Sequence, residues 1–210
     1  LTLPEISLSM NRIFPFKNKN RIGKTWADNI SIRYNMNTRN QISAIDSLFF
    51  HSSTLNSFKT GMRHTLPISS SFKFLKYFTF SQNINFNEKW YINQIEKTWD
   101  GTKIKTDTIQ KFTRGSDYNM TASLNTKIYG ISQFKKGKIA AFRHVISPNI
   151  SFTYNPSFSD EKYGIYKIVQ SDSLGNTELY SIMQNGIYGS PRQNRSGNIT
   201  MSIANLIGIK

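Results

Sequence analysis

The sequence predicts an all-β fold: a fragment of an antiparallel transmembrane β-barrel, about seven strands of a larger barrel. Three observations carry that expectation. Apolar and polar residues alternate with a period of two in seven separate stretches, many of these run for about ten residues or more, and the links between them alternate between short and long. Successive side chains of a strand point to opposite faces, so a period of two makes one face apolar and the other polar. Strands in soluble sheets are usually about 5–6 residues long, whereas a tilted membrane strand needs about 9–11.

The stretches can be justified in order. In 29–37, Ile30, Ile32, Tyr34 and Met36 alternate with Asn29, Ser31, Arg33, Asn35 and Asn37. Phe78, Phe80, Ile84 and Phe86 alternate with Thr79, Ser81, Asn83, Asn85 and Asn87. Tyr118, Met120, Ala122 and Leu124 do so with Asn119, Thr121, Ser123 and Asn125, and Ile150, Phe152 and Tyr154 with Asn149, Ser151, Thr153 and Asn155. Strands are expected over 4–16, 26–38, 59–74, 77–92, 117–131, 139–155 and 197–209. The links 17–25, 75–76 and 132–138 are short, and 39–58, 93–116 and 156–196 are long. Outer-membrane barrels pair short periplasmic turns with long extracellular loops. The strand starting at Trp26 is therefore expected to run outward and the one starting at Lys59 inward.

Aromatics gather toward the strand ends: Phe14, Phe16, Phe72, Phe74, Tyr77, Phe78, Trp90, Tyr91, Phe152 and Tyr154. Amphipathic rings suit the head-group level, so these are expected to form interfacial girdles. Four positions misfit. Arg12 and Gln82 fall on the apolar face, which calls for a register slip or a covering element. Pro67 and Pro148 fall inside strands, where bulges or weakened pairing are expected.

Hydrophobic residues make up 38% of the chain and mean hydropathy is −0.45, with no run of about 18 apolar residues, which excludes a helical membrane protein. A barrel tolerates such values because half of each strand faces a wet lumen. Cysteine is absent, so no disulfide framework forms. The net charge of +15 implies anionic partners. The basic residues gather in links: Lys17, Lys19, Arg21 and Lys24, then Lys73 and Lys76, then Lys135, Lys136 and Lys138. That placement suits solvated turns and membrane rims, not the single basic-aromatic face of a nucleic-acid reader. No signal peptide opens the chain, which is expected to be an internal fragment. Seven strands do not close with an even count, and open edges in lipid leave backbone groups unsatisfied, so further strands are expected elsewhere.

Catalytic, cofactor and metal sites are not expected. His51, His64 and His144 match no metal spacing, and no GxSxG or Walker A motif occurs. Ser69, Ser70 and Ser71 fit alternation better than nucleophilic chemistry, and Asp160 and Glu161 lie in the longest loop. A phospholipase pair of His144 with Ser147 or Ser151 fails on parity, because they point to opposite faces. The sequons at Asn29, Asn119, Asn149 and Asn198 are polar-apolar-polar triplets that alternation itself produces. The expected lumen wall comprises Arg33, Asn35, Asn83, Asn85, Asn119, Asn125, Lys127, Arg143 and Asn149. The expected lipid-facing residues are Ile30, Ile32, Tyr34, Phe78, Phe80, Ile84, Phe86, Ile150, Phe152 and Tyr154.

Two stretches resemble the LptD family of outer-membrane lipopolysaccharide assembly proteins. Arg143-His144-Val145-Ile146-Ser147-Pro148-Asn149-Ile150-Ser151-Phe152-Thr153-Tyr154-Asn155-Pro156 is similar to a mid-barrel strand of the family, in which His, an apolar residue and Pro precede an aromatic-x-aromatic-x-Pro ending. Leu3-Pro4-Glu5-Ile6-Ser7-Leu8-Ser9 resembles a strand opening in the same barrel, and 73–90 looks most like the Bacteroidetes branch. The resemblance covers most of the chain, all within the barrel. It implies a two-lobed barrel of about 26 strands, an LptE-like plug lipoprotein, and a periplasmic jelly-roll that receives lipopolysaccharide from an LptA-like bridge protein. It also implies a lateral gate between first and last strands; no jelly-roll is seen in this chain, and no gate residue transfers to it. The implied partners are lipopolysaccharide, the plug, the bridge protein and outer-membrane lipids, with no nucleic acid. Lys and Arg of the polar wall would hold sugar phosphates. A porin or TonB-dependent receptor barrel is the alternative, and a soluble basic β-sandwich a second one.

Overall fold

A computed structural model describes residues 2–17, 25–41, 59–134 and 140–209. The strands among them, in chain order, are β1 Thr2–Ile13, β2 Ser31–Gln41, β3 Lys59–Phe74, β4 Phe78–Tyr91, β5 Gln94–Trp99, β6 Ile104–Ile109, β7 Thr113–Thr126, β8 Ile128–Gln133, β9 Ala141–Asn155, β10 Tyr166–Gln170, β11 Thr177–Ser181 and β12 Ser196–Ile209. The seven stretches of alternation form one antiparallel sheet in the order β1-β2-β3-β4-β7-β9-β12, and β8 continues β7 along β9. The sheet curls into half a barrel. His51, Lys19, Arg21, Lys24, Lys135, Lys136 and Lys138 lie outside the described residues.

Register turns the alternation into rows. Ile13, Ile32, Ile68, Ile84, Met120 and Tyr154 stand opposite one another across six strands. On the other face Ser71, Ser81, Ser123, Ser151 and Thr200 form a hydroxyl row across five. A slip of one residue would mix the two faces, so the pattern itself pins the pairing.

The irregularities have local causes. The β1–β2 register shifts between Met10 and Ile13, inserting one extra residue. Such a bulge turns the following side chain to the other face, and it moves Arg12 off the apolar side. No slip occurs at Gln82: it remains on the apolar-parity face between Ser70 and Ala122 in unbroken ladders. The prolines interrupt pairing on one side only, without a bulge. Pro67 pairs normally with Asn85 of β4, but the β2–β3 ladder is missing at Arg33 and Tyr34 and resumes in the same register. Pro148 pairs with Ile203 of β12, while the ladder on its other side breaks between β7 and β8, at Lys127. In an antiparallel ladder a residue's N–H and C=O point to the same neighbour, so a missing N–H weakens one ladder and spares the other.

Several expected boundaries move. The start expected at Trp26 is a single 3-10 turn, Trp26–Asn29, in which Asp28 accepts hydrogen bonds from the Thr25 amide and hydroxyl at 2.6 and 2.8 Å. Ile30, expected as a lipid-facing strand residue, caps that turn and precedes β2. The β3–β4 hairpin closes through Leu75–Tyr77 with Leu75 and Lys76 at φ +48° and +66°. Left-handed backbone at two residues with side chains costs about 1 kcal/mol each.

The larger difference lies in the links 93–116 and 156–196, which fold into the hairpins β5–β6 and β10–β11. Their tips are tied by carboxylates: Asp100 accepts from the amides of Thr102 and Lys103, and Asp172 from those of Leu174 and Asn176, all at 2.9 Å. These bonds favour the ionised form and hold both carboxyls below the usual range. Of the nine buried hydrophobic residues described, eight belong to the cap these hairpins build: Tyr91, Ile95, Phe158, Ile165, Val169, Tyr180, Ile182 and Met183.

Candidate functional site: the polar face of the sheet

Short and amide side chains give the polar face a ladder of cross-strand hydrogen bonds. Ser31 pairs with Ser69 and Ser71 with Ser81, each at 2.9 Å, and Thr121 with Thr153 at 3.2 Å. Asn85 donates to Asn119 at 3.0 Å and Asn87 to Asp117 at 2.9 Å. Each such rung contributes about 0.2–1 kcal/mol.

Seven of the nine expected wall residues share this face through a chain of register pairs. Asn35 stands opposite Thr65, Asn83 opposite Ser69, Asn85 opposite Asn119, and Asn125 opposite Asn149. Arg33 sits in the ladder gap beside Pro67, and the Arg143 guanidinium lies 5.8 Å over the Tyr129 ring. Lys127 is the exception in position, being the exposed residue between β7 and β8. The structure brings Arg33 and Asn83 to one hollow; the other seven expected residues do not line it.

A first hollow, about 370 Å³, lies beside it and is bordered by residues of five successive strands, among them Arg12, Ser31, Ser69, Ser71, Ser81, Asn83, Thr121 and Ser123. Five strands lining one hollow on one face make that face the concave one. The Arg33 hollow, about 320 Å³, shares Arg12, Ser31, Ser69 and Asn83 with it and adds Arg33 and Pro67. Phe14, expected in an aromatic girdle, borders the first hollow instead.

The opposite end of the same face is covered. Tyr91, also expected in a girdle, points to the polar side and is 2% exposed within the cap core. Its hydroxyl donates to the Gly189 carbonyl and accepts from the Tyr188 amide, both at 3.0 Å. Tyr188 donates to the Asn37 carbonyl at 3.1 Å, and the Arg63 guanidinium lies 4.8 Å over its ring. Burial pushes the Tyr188 and Tyr166 phenols up from their ordinary value. Lys89 bridges Asp117 at 3.0 Å and donates to the Ser190 carbonyl at 3.2 Å. Gly115 makes room for the cap: a Cβ there would sit 2.5 Å from the Met183 sulfur.

The other face remains bare. Ile199, Met201 and Ile203 are each more than 60% exposed. Its aromatics form two clusters, Phe72 with Phe80 at 5.5 Å near the hairpin turn, and His64 with Trp90 at 4.3 Å near the cap. His64 Nδ1 also lies 2.7 Å from the Tyr34 hydroxyl. His144 shares this face with Phe142, away from Ser147 and Ser151.

Sequence reasoning missed Arg12 and the cap residues Tyr91, Tyr188 and Met183. Asn11-Arg12 between Met10 and Ile13 was a signal, since two polar residues in succession break the beat by one. A family model described as LptD protein matches residues 1–210. Neither the curated proteins nor the solved structures gave a match.

Proposed function

We propose, for a chain that belongs to the LptD family, that this sheet is one wall of an outer-membrane barrel that inserts lipopolysaccharide into the outer leaflet. The family serves lipopolysaccharide transport and outer-membrane assembly rather than enzymatic chemistry. The match over all 210 residues carries the reading. The two faces support it, because a bare apolar face with aromatic clusters at both ends suits lipid, and a concave hydroxyl-lined face suits passing sugars. Ten residues of β4 separate Phe80 from Trp90. That is roughly 33 Å of strand and, at a tilt of about 40°, about 25 Å of height, matching the apolar band of such barrels. Among the described residues no second sheet covers the apolar face, which sets the sandwich alternative aside.

In this reading the multi-pass barrel places the turn at Leu75–Tyr77 on the periplasmic side and the cap outside. An LptE-like plug would meet the polar face, an LptA-like bridge would deliver the glycolipid, and the chain would come from a Bacteroidetes-like branch. The nine wall residues would face the lumen and the apolar rows the lipid. Depleting the full-length protein in its host tests the role. Newly made lipopolysaccharide is expected to vanish from the cell surface and accumulate within the envelope. Undisturbed surface glycolipid with a selective defect in solute uptake would overturn the reading in favour of a porin or receptor barrel.

A further inference from the structure

The hollow on the polar face has a chemistry that its neighbours lack. Two arginines from adjacent strands border the paired hollows: Arg12, re-aimed by the β1 bulge, and Arg33, beside the ladder gap that Pro67 leaves. No carboxylate lines either hollow. Three other cations of the sheet are paired with carboxylates, Arg39 with Glu5 at 2.7 Å, Lys89 with Asp117 at 3.0 Å and Arg114 with Glu88 at 3.5 Å, and Arg63 and Arg143 lie over the Tyr188 and Tyr129 rings. Among the described residues, Arg12 and Arg33 have no ion-pair partner. Around them stand Ser31, Ser69, Ser71, Ser81, Asn83 and Thr121, whose short side chains create the space and leave hydroxyls and an amide at its wall.

We infer that this hollow is a binding site for a phosphorylated sugar, Arg12 and Arg33 holding the phosphate and the serine row the sugar hydroxyls. The inference deepens the transport reading and rests on it, naming where on the wall the glycolipid's anionic part is held. Planar guanidinium forks match phosphate oxygens in paired, charge-assisted bonds, which a single lysine does not reproduce. Hydroxyls and an amide donate to and accept from sugar hydroxyls equally well. A protein occupant would be anchored by aromatic or aliphatic side chains in an apolar pocket. The hollow offers one such surface, Phe14 at its margin. The structural roots are two local defects: without the bulge Arg12 would face the other side, and with an ordinary residue at 67 the ladder would close beside Arg33.

The test uses the full-length protein with its natural partners, reconstituted in lipid vesicles. A photoreactive residue is placed by Ser81→p-benzoylphenylalanine in the hollow, and in a separate sample by Asn119→p-benzoylphenylalanine higher on the wall. Lipopolysaccharide is expected to cross-link at both positions. R12Q/R33Q should cut the adduct at Ser81 by about tenfold or more, as two charge-assisted contacts are removed. R12K/R33K should restore it only in part, and K105Q in the outer hairpin should leave it unchanged. Phosphatase-treated lipopolysaccharide should show the same loss as R12Q/R33Q. Inorganic phosphate at millimolar concentration should compete weakly; full competition would mean a free-phosphate site and overturn the sugar assignment. Adducts at Asn119 but not at Ser81, or adducts to a protein, would overturn the site while leaving the transport reading intact. Absence of lipopolysaccharide adducts at both positions would sink both.

Discussion

The wall and the cap solve burial in opposite ways. The wall leaves Ile199, Met201 and Ile203 more than 60% exposed, whereas Met183 and Tyr91 in the cap are 1% and 2% exposed. A soluble sheet with that much bare apolar surface would aggregate or pair, and in the proposed reading the wall's solvent on this face is lipid. The cap works in water and has to build its own core from short hairpins, which it does by packing Tyr91, Ile165, Val169, Tyr180, Ile182 and Met183 together. Ion pairs across the hairpins follow the same logic, with Lys97 to Glu178 at 2.9 Å and Lys97 5.4 Å over the Tyr180 ring. Such partly exposed pairs add little alone and chiefly set register. The two regions are therefore expected to answer differently to a change of medium.

Substitutions can break that contrast or sharpen it. The largest effect is expected from Tyr91→Ala, which opens a cavity in the cap core and removes the two bonds from the Tyr91 hydroxyl to segment 188–189. It should destabilise the cap by about 3–5 kcal/mol. Hydrogen exchange should then show lost protection in β5, β10 and β11 while the β4–β7 ladder stays protected; joint loss in both would show that cap and wall fold as one unit.

Next comes a pair of adjacent changes at one depth of the wall. Ile84→Arg should cost about 2–4 kcal/mol in lipid vesicles, because it puts a charge in the middle of the apolar band. Asn85→Arg, on the opposite face, should cost about 1 kcal/mol or less, for the lost bond to Asn119. Urea unfolding from vesicles measures both, and equal costs would mean that the two faces do not differ in solvent.

The smallest effect concerns the turn that carries neither a core nor a lipid face. Lys76→Gly relieves left-handed backbone and should raise stability by about 1 kcal/mol, seen as a higher midpoint in the same titration. No gain would mean that the turn's side-chain contacts offset the backbone strain.

Much of the wall was legible because alternation is a local property, and a single face of lipid and a single face of water select it residue by residue. Ile32, Ile84 and Asn85 lie on the faces that their parity implies, and β3 has the bounds expected of it, Lys59–Phe74. The cap left weaker marks. Asp100-Gly101 and Gly175-Asn176 are turn signals, but five- and six-residue strands between them are too short for their periodicity to stand out. That these hairpins fold onto the polar face, and that Tyr91 leaves the aromatic girdle to anchor them, depends on contacts about 100 residues apart in sequence.

By itself, then, the sequence determined which residues form most of the wall and which of its faces is apolar, but not every link. The first, expected to be short, runs from Ile13 to Ser31 and equals the one between Gln41 and Lys59 that was expected to be long. Tertiary structure decided what the wall does with its irregular residues. Arg12 changes face because β2 offers a register that accommodates one extra residue. Each proline breaks only the ladder toward which its missing N–H points, and the hollow beside Arg33 exists because residues of four strands meet around it. Alternation is written along one strand, whereas bulges, gaps and hollows are relations between strands, and only the assembled sheet sets them.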